Sequence, residues 1–105
     1  MVYEEVPHVL HMVVITGRKL QDKMMAVITE NGGHVVNVFY GKGSVKSGYL
    51  MDIFGLVDEK NKVLITCLIS DSEADVIFNT LTSDFHFDKP NTGIAYTIPV
   101  ESLSY

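Results

Sequence analysis

The fold of this chain is read most clearly from DKPNTG, residues 88–93, and from IAYTIPVE, residues 94–101, which follows it. Proline forces the residue before it into an extended conformation, and Asn-Thr-Gly tolerates a sharp bend. The β-branched and aromatic residues 94–98 then predict a strand, and Pro99 marks its end or an edge position. A turn with a lysine, a glycine and free backbone N–H groups can receive an anion, although an ordinary connection between elements has the same composition.

A helix is predicted before this turn. Asp71 and Ser72 are both good N-cap residues, and Asp75 occupies the capping-box position if Ser72 is the cap. The apolar positions Ala74, Ile77, Phe78 and Leu81 form one face at helical spacing. Residues 82–87 then lead from the helix into the turn.

The rest of the chain contains one more helix and four more extended runs. Leu20, Met24, Val27 and Ile28 predict a helical face, which Asn31-Gly32-Gly33 terminates. The apolar or β-branched runs at residues 9–16, 35–40, 49–57 and 62–69 predict strands, and the last two of these form a hairpin around residues 58–61.

The resulting order of elements is strand, helix, strand, strand, helix, strand. This βαββαβ order predicts an α+β, ferredoxin-like split βαβ fold in which both helices cover one face of an antiparallel sheet, with an extra hairpin strand at about 49–57. We expect residues 1–105 to form one domain. The runs at residues 9–15 and 63–69 are apolar on both faces, so we expect another copy of the chain to cover the face that the helices leave open.

Composition narrows the classes of function. The chain has 105 residues, of which 47% are hydrophobic and 20% charged, with a net charge of −5 and a pI near 5.2. No basic cluster is longer than two residues, so we expect no nucleic-acid binding. A single cysteine gives no disulfide framework, no apolar run is long enough to cross a membrane, and the acidic N-terminus is unlike a secretory signal. We therefore expect a cytoplasmic location.

Motifs of catalysis are missing from the sequence. The four histidines have no metal-ligand spacing, and there is neither a nucleophile elbow nor a Walker loop. We therefore expect no enzyme activity, no catalytic residues and no metal. The glycine-rich run Gly41-Lys42-Gly43-Ser44 can bring backbone N–H groups close to a phosphate, although a hairpin connection is the simpler interpretation. In a split βαβ domain this run and the turn at residues 88–93 can meet across a subunit boundary.

These two runs resemble sequences of the nitrogen regulatory protein P-II family. The run at residues 88–101 is similar to the DKPGTGIAFxLPVE run of a divergent, short-loop branch of that family, and Gly41-Lys42-Gly43-Ser44 is similar to that branch's GRGT. Lys62-Val63 and Lys19-Leu20 also fit the family pattern. The resemblance extends from about residue 9 to residue 103.

The resemblance implies a trimeric signalling protein with an adenine-nucleotide effector in clefts between subunits and no other cofactor. It implies that the loop at residues 41–56 contacts a target protein, such as a membrane transporter or an enzyme of nitrogen metabolism. The ligand-binding residues implied are Gly41, Lys42, Gly43, Ser44, Lys62, Leu64, Lys89, Thr92 and Gly93. Residues 64–68 would supply part of the base pocket.

Several positions depart from the family pattern. Ser44 and Val45 stand where an arginine and a glutamine are usual, Thr92-Gly93 replaces Gly-Lys, and residues 102–105 lack the usual arginines. Tyr49 is present, but without the motif of the modified tyrosine. Each missing cation removes a charge-assisted hydrogen bond of about 1.5–3 kcal/mol. These departures favour AMP or ADP over ATP with 2-oxoglutarate.

Three other classes of protein fit parts of the sequence. A small ferredoxin-like enzyme, acylphosphatase-like or an oligomeric α+β barrel, would use an arginine after the first strand, where Arg18 stands. An amino-acid-sensing module has a similar fold but is normally fused to a catalytic domain. A purely structural oligomer would bind none of the candidate ligands.

Overall fold

The computed structural model of the chain describes residues 3–5, 8–42, 61–89 and 92–104. Its elements are β1 (Tyr3–Glu5), β2 (Val9–Gly17), a 3₁₀ turn (Arg18–Leu20), α1 (Gln21–Glu30), β3 (His34–Lys42), β4 (Asn61–Ser70), α2 (Asp71–Phe85), β5 (Gly93–Pro99) and β6 (Ser102–Ser104). Four strands form an antiparallel sheet in the order β3-β4-β2-β5, and β1 pairs with β6 separately. The predicted ferredoxin-like α+β fold is confirmed. The predicted extra strand at about 49–57 lies outside the described residues.

The core lies between the sheet and the two helices. Every second residue of β4 is buried, which places Val63, Ile65, Cys67 and Ile69 on the helix-covered face. The other fully buried apolar side chains of this core are Met12, Val14, Met24, Ile28, Ala74, Ile77 and Leu81. The predicted apolar faces of both helices are thereby confirmed, with Leu20, Val27 and Phe78 packed at the margin of the core.

The start of α2 differs from the prediction. The N-cap is Ser70, whose hydroxyl accepts a hydrogen bond from the Glu73 backbone N–H at 3.3 Å and lies 2.6 Å from a Glu73 carboxylate oxygen. Glu73 thus stands in the capping-box position of Ser70, but its carboxylate accepts from the Ser70 hydroxyl and not from the backbone N–H; the cap lies one residue before Asp71 and two before Ser72. Ser70 is still extended (φ −73°, ψ 157°) because it is the last residue of β4 and pairs with Val9.

The sheet face opposite the helices is largely apolar. It carries Val13 and Ile15 on β2, Leu64 and Leu68 on β4, Phe39 on β3, and Ile94, Tyr96 and Ile98 on β5. We call these residues the open face. Val13 at its centre is only 4% exposed, whereas Phe39, Tyr96 and Ile98 on the two edge strands are 56%, 43% and 52% exposed. The prediction that the strands are apolar on both sides is therefore confirmed.

Candidate functional site

The predicted site residues of β3 and β4 lie together at one end of the sheet. Gly41 pairs with Lys62, and Leu64 pairs with Phe39 one step further along the same two strands. Because the intervening Val63 is buried under the helices, Lys62 and Leu64 lie on the other side of the sheet, where the open face is. Lys42 follows at the end of β3, where its backbone pairs with that of Asn61. Gly43 and Ser44 lie outside the described residues.

The remaining predicted residues lie at the same end of the sheet but across β2. Lys62 pairs with Gly17, and the neighbouring Thr16 pairs with Gly93 at the start of β5. The two groups are therefore about 10 Å apart, since two inter-strand spacings separate them. A Cβ placed on Gly93 would meet the Phe87 ring, which packs against the core on the helix side. Within one subunit the two groups thus share an end of the sheet but lie on opposite sides of it.

In the connection from α2 to β5, the described residues 86–89 and 92 are linked to one another by hydrogen bonds. We call these residues the Lys89 loop. His86 ends α2 in the left-handed conformation (φ 59°), and the Lys89 backbone N–H donates to the His86 carbonyl oxygen at 2.9 Å. The Thr92 hydroxyl lies within hydrogen-bonding distance of two carbonyl oxygens, that of His86 at 3.0 Å and that of Lys89 at 2.9 Å. Its proton is therefore used inside the loop, although its lone pairs can still accept a hydrogen bond.

A second threonine, which the sequence analysis did not single out, fixes the end of this loop. The Thr16 hydroxyl donates to the Thr92 carbonyl oxygen at 2.9 Å. Among the residues that the structure describes, Thr16 is the one polar residue that is fully buried, with 1% exposure. Threonine is a common residue at the end of an apolar strand, and its partner is 76 positions away, so no local pattern could have indicated this role.

A cavity of about 350 Å³ lies beside the Lys89 loop. Its lining residues are Phe78, Leu81, Thr82, Phe87, Gly93, Ile94 and Ala95. This volume falls at the lower end of the range found for small-ligand pockets. Of the residues predicted to bind a ligand, Gly93 lines this cavity, whereas Lys62 and Leu64 do not.

Charge is strongly polarised along the sheet. Every lysine and arginine that the structure describes, namely Arg18, Lys19, Lys23, Lys42, Lys62 and Lys89, lies at the end where the two site groups lie. Of the carboxylates that the structure describes, Glu30, Asp71, Glu73, Asp75 and Glu101 lie at the opposite end, and Asp22, Asp84 and Asp88 accompany the cations. Among the described residues, cations therefore outnumber carboxylates at this end, although the chain as a whole has a net charge of −5.

Among the described residues, Arg18 and Cys67 carry the side chains whose chemistry is best suited to catalysis. The Arg18 guanidinium lies 4.5 Å from the centroid of the Tyr40 ring, a cation–π contact on the helix side of the sheet. Cys67 is buried in the core, and burial raises the pKa of its thiol, which disfavours the nucleophilic thiolate.

Among the residues that the structure describes, no group of three or more histidine, cysteine or acidic side chains is placed to hold a metal ion. In the same part of the chain, no helix is long and apolar enough to cross a membrane.

Comparison with known proteins gives matches by structure. No family model matches the sequence, and no curated protein matches it. A PII-like signaling protein from Thermus thermophilus superposes with a TM-score of 0.68 at 16% identity, over 95% of this chain and 91% of that chain. The apo form of CPII from Thiomonas intermedia, a nitrogen regulatory PII-like protein, gives a TM-score of 0.71 at 10% identity, over 95% and 96% of the two chains. CutA from Synechococcus elongatus gives 0.68 at 8% identity, over 98% and 86%.

The chain therefore has the fold of the PII-like signalling proteins, and the predicted resemblance is confirmed at the level of the fold. A further structure of CPII contains ADP, AMP and acetate, and it superposes on this chain with a TM-score of 0.67 at 8% identity, over 98% of this chain and 90% of that chain. CutA shares the same fold, so the fold alone does not distinguish among the functions that its members perform.

Proposed function

We propose that this chain is a non-enzymatic, single-domain PII-like regulatory protein of the cytoplasm. In this proposal it forms a homotrimer, binds AMP or ADP in clefts between subunits, and regulates a target protein through the loop at residues 41–56. A membrane transporter or an enzyme of nitrogen metabolism is the kind of target proposed. Similar solved structures named as PII-like, one of them with ADP and AMP bound, support the class of function.

The observation that carries this proposal is the clustering of every described lysine and arginine at one end of the sheet. The same end carries Gly41 next to Lys62, and the Lys89 loop with its glycine at position 93. Phosphate groups are bound where cations and accessible backbone N–H groups converge. A phosphate-containing ligand is thus the chemistry that this end of an otherwise acidic protein suits best.

Assembly would complete the site. In one subunit Lys62 and Leu64 lie on the open side of the sheet, whereas the Lys89 loop lies towards the helix side. A ligand that contacts both therefore requires a second copy of the chain. The open face gives a reason for such a copy to bind, because a contiguous apolar patch of this kind is rare on a monomer. Among the described residues, the large exposed apolar side chains of this face are Phe39, Tyr96 and Ile98, all on the edge strands β3 and β5.

The number of cations favours a ligand of low charge. Lys62 and Lys89 are the cations of the proposed site whose residues are fully described, and each would contribute a charge-assisted hydrogen bond of about 1.5–3 kcal/mol. Since Ser44, Val45 and residues 102–105 carry no compensating arginine, the proposal assigns AMP or ADP rather than ATP.

The test is binding of AMP, ADP, ATP and 2-oxoglutarate to protein whose mass in solution is measured by light scattering. A ligand at one hundred times its dissociation constant should stabilise the protein by about 2.7 kcal/mol per site, which a thermal-shift assay detects. Lys89→Gln should weaken AMP or ADP binding by about 10- to 100-fold. Lys23→Gln is the matched control, because Lys23 is an exposed lysine at the same end but on α1. Equal affinity of the two variants, or a monomeric wild-type protein, would contradict the proposed site.

An acylphosphatase-like enzyme is the second candidate, since Arg18 follows the end of β2 directly. Its guanidinium stacks on Tyr40, and Arg18 is the first residue of a three-residue 3₁₀ turn, so the arginine is held against the sheet instead of within an extended phosphate-binding loop. Hydrolysis of an acyl phosphate that is lost in Arg18→Ala would favour the enzyme over the regulatory protein.

A further inference from the structure

We propose that Thr16 is a positioning residue, which holds the Lys89 loop in its ligand-binding shape without contacting the ligand itself. Its role in binding rests on the function proposed above, whereas its role in ordering the loop does not. The proposal begins from the burial of Thr16, whose side chain has no access to solvent and hence no access to a ligand.

The hydroxyl of Thr16 contacts the last residue of the Lys89 loop, next to the start of β5. It donates to the carbonyl oxygen of Thr92, and the Thr92 hydroxyl reaches back to the carbonyl oxygens of His86 and Lys89. Thr92 is thereby fixed at its backbone by the sheet and at its side chain by the loop. Without the first contact, the Thr92 side chain contacts only its own loop, and Thr92 is held to the sheet only through the neighbouring Gly93.

Apart from Thr16, the loop has a hydrogen bond at its α2 end and an apolar ring contact at its β5 end. The Phe87 backbone N–H donates to the Leu81 carbonyl oxygen at 3.1 Å, which fixes the end of the loop that leaves α2. The Phe87 ring packs over Gly93, but a ring contact is less directional than a hydrogen bond. Thr16 supplies a directional contact at the β5 end, so that Lys89 lies between two fixed points.

Removing the hydroxyl while keeping the shape of the side chain isolates this effect. Thr16→Val removes this donor from the part-buried Thr92 carbonyl oxygen, and Thr16→Ser keeps the donor. In the ligand-free protein we expect Thr16→Val to accelerate hydrogen exchange at the Phe87 and Lys89 amides by about tenfold relative to the amides of β4. Thr16→Ser should behave like the wild-type protein.

Thr80→Val is the matched control variant. The Thr80 hydroxyl also donates to a carbonyl oxygen, that of Val76 at 3.0 Å, but within α2 and away from the loop. It should leave exchange in the Lys89 loop unchanged. The proposal is overturned if Thr16→Val does not change exchange at Phe87 and Lys89, or if Thr16→Ser changes it as much as Thr16→Val does.

The wild-type protein offers a check that requires no variant to fold. A buried hydroxyl that donates to a carbonyl oxygen exchanges slowly with water, so the Thr16 hydroxyl proton should be visible by NMR; its rapid exchange would overturn the proposal.

ADP binding then tests whether the loop order that Thr16 provides contributes to ligand binding. Thr16→Val should weaken ADP binding by about tenfold while Thr80→Val has no effect. An unchanged ADP affinity despite accelerated loop exchange would overturn the positioning role. If the wild-type protein binds no ADP, the proposed function fails, and the exchange measurements still decide whether Thr16 orders the loop.

Discussion

Gly93→Ala should destabilise this protein, although replacing a glycine within a strand by alanine normally stabilises one. The structure gives no left-handed conformation at Gly93, so alanine would bring the usual backbone gain of about 0.5–1 kcal/mol. The added Cβ, however, would lie 2.5 Å from the Phe87 Cζ and 2.9 Å from the Ile15 carbonyl oxygen. Both distances are shorter than a Cβ atom's normal contacts with carbon or oxygen, so the Phe87 ring and strand β2 must move.

The size of the destabilisation depends on which of the contacting atoms can move. The Phe87 ring can shift, but the Ile15 carbonyl belongs to β2, to which β5 is paired along its whole length. Overpacking costs about 1–3 kcal/mol, and contact with backbone places Gly93 in the upper half of that range. After the backbone gain is subtracted, Gly93→Ala should lower the free energy of unfolding by about 1–2.5 kcal/mol. The midpoint of thermal unfolding should fall by roughly 5–10 °C.

Gly41→Ala is the matched control, because Gly41 also lies in a strand at the same end of the sheet and a Cβ there would meet none of the described residues within 4 Å. Both variants are to be compared by urea unfolding at one protein concentration, since an oligomer's stability depends on concentration. A Gly93→Ala protein as stable as Gly41→Ala would refute the reasoning. In a Phe87→Ala background the effect of Gly93→Ala should shrink, and an unchanged effect there would show that the ring is not the cause.

Three further predictions concern the capping of α2, the open face and the core thiol. Ser70→Ala should lower the free energy of unfolding by about 0.5–2 kcal/mol through loss of the N-cap, whereas Ser83→Ala, on the exposed side of the same helix, should change it little in the same urea titration. Ile98→Glu should dissociate the oligomer as seen by light scattering, whereas Val76→Glu, at a site of similar exposure on α2, should not; identical masses would contradict the assignment of the open face as the interface. Because burial raises the pKa of the Cys67 thiol, the unfolded chain releases this proton at a lower pH than the folded one does, and stability is lost as the pH rises above the usual thiol pKa. Cys67→Ala should lose less stability than the wild-type protein between pH 8 and 10, and parallel losses would count against this linkage.

Local sequence patterns predicted the elements well where a single interpretation was available. Only one interpretation fits the helical spacing of Met24 and Ile28, and only one fits the apolar run of β2. The structure contains the predicted helix and the predicted strand. The start of α2 was harder, because Ser70, Asp71 and Ser72 are all cap residues, and the acidic residues Glu73 and Asp75 give capping boxes to two of them. The ambiguity is resolved by the extended backbone of Ser70, which the pairing of β4 with β2 imposes.

The internal structure of the candidate site could not be predicted in the same way. A sequence shows that Thr92 lies in a turn, but not that its hydroxyl donates backwards to His86 and Lys89. The contact between Thr16 and Thr92 joins two strands that are adjacent only because of the crossover order of the sheet. Such contacts depend on register, and a shift of one residue would turn Thr16 to the open face.

The placement of the cations, rather than the fold, is the basis for proposing that this chain binds an anionic ligand. PII-like proteins and CutA share the topology, so a ligand inferred from topology alone would apply equally to all of them. The described cations, by contrast, come from four separate places in the sequence, namely the end of β2 and start of α1, the end of β3, the start of β4 and the Lys89 loop. Antiparallel pairing brings these places to one end of the sheet and leaves most carboxylates at the other. Moving a lysine from this end to the opposite one, as in Lys89→Gln combined with Ser72→Lys, keeps the net charge and should still weaken AMP or ADP binding by about 10- to 100-fold in the same binding assay, whereas restored affinity would show that only the net charge matters.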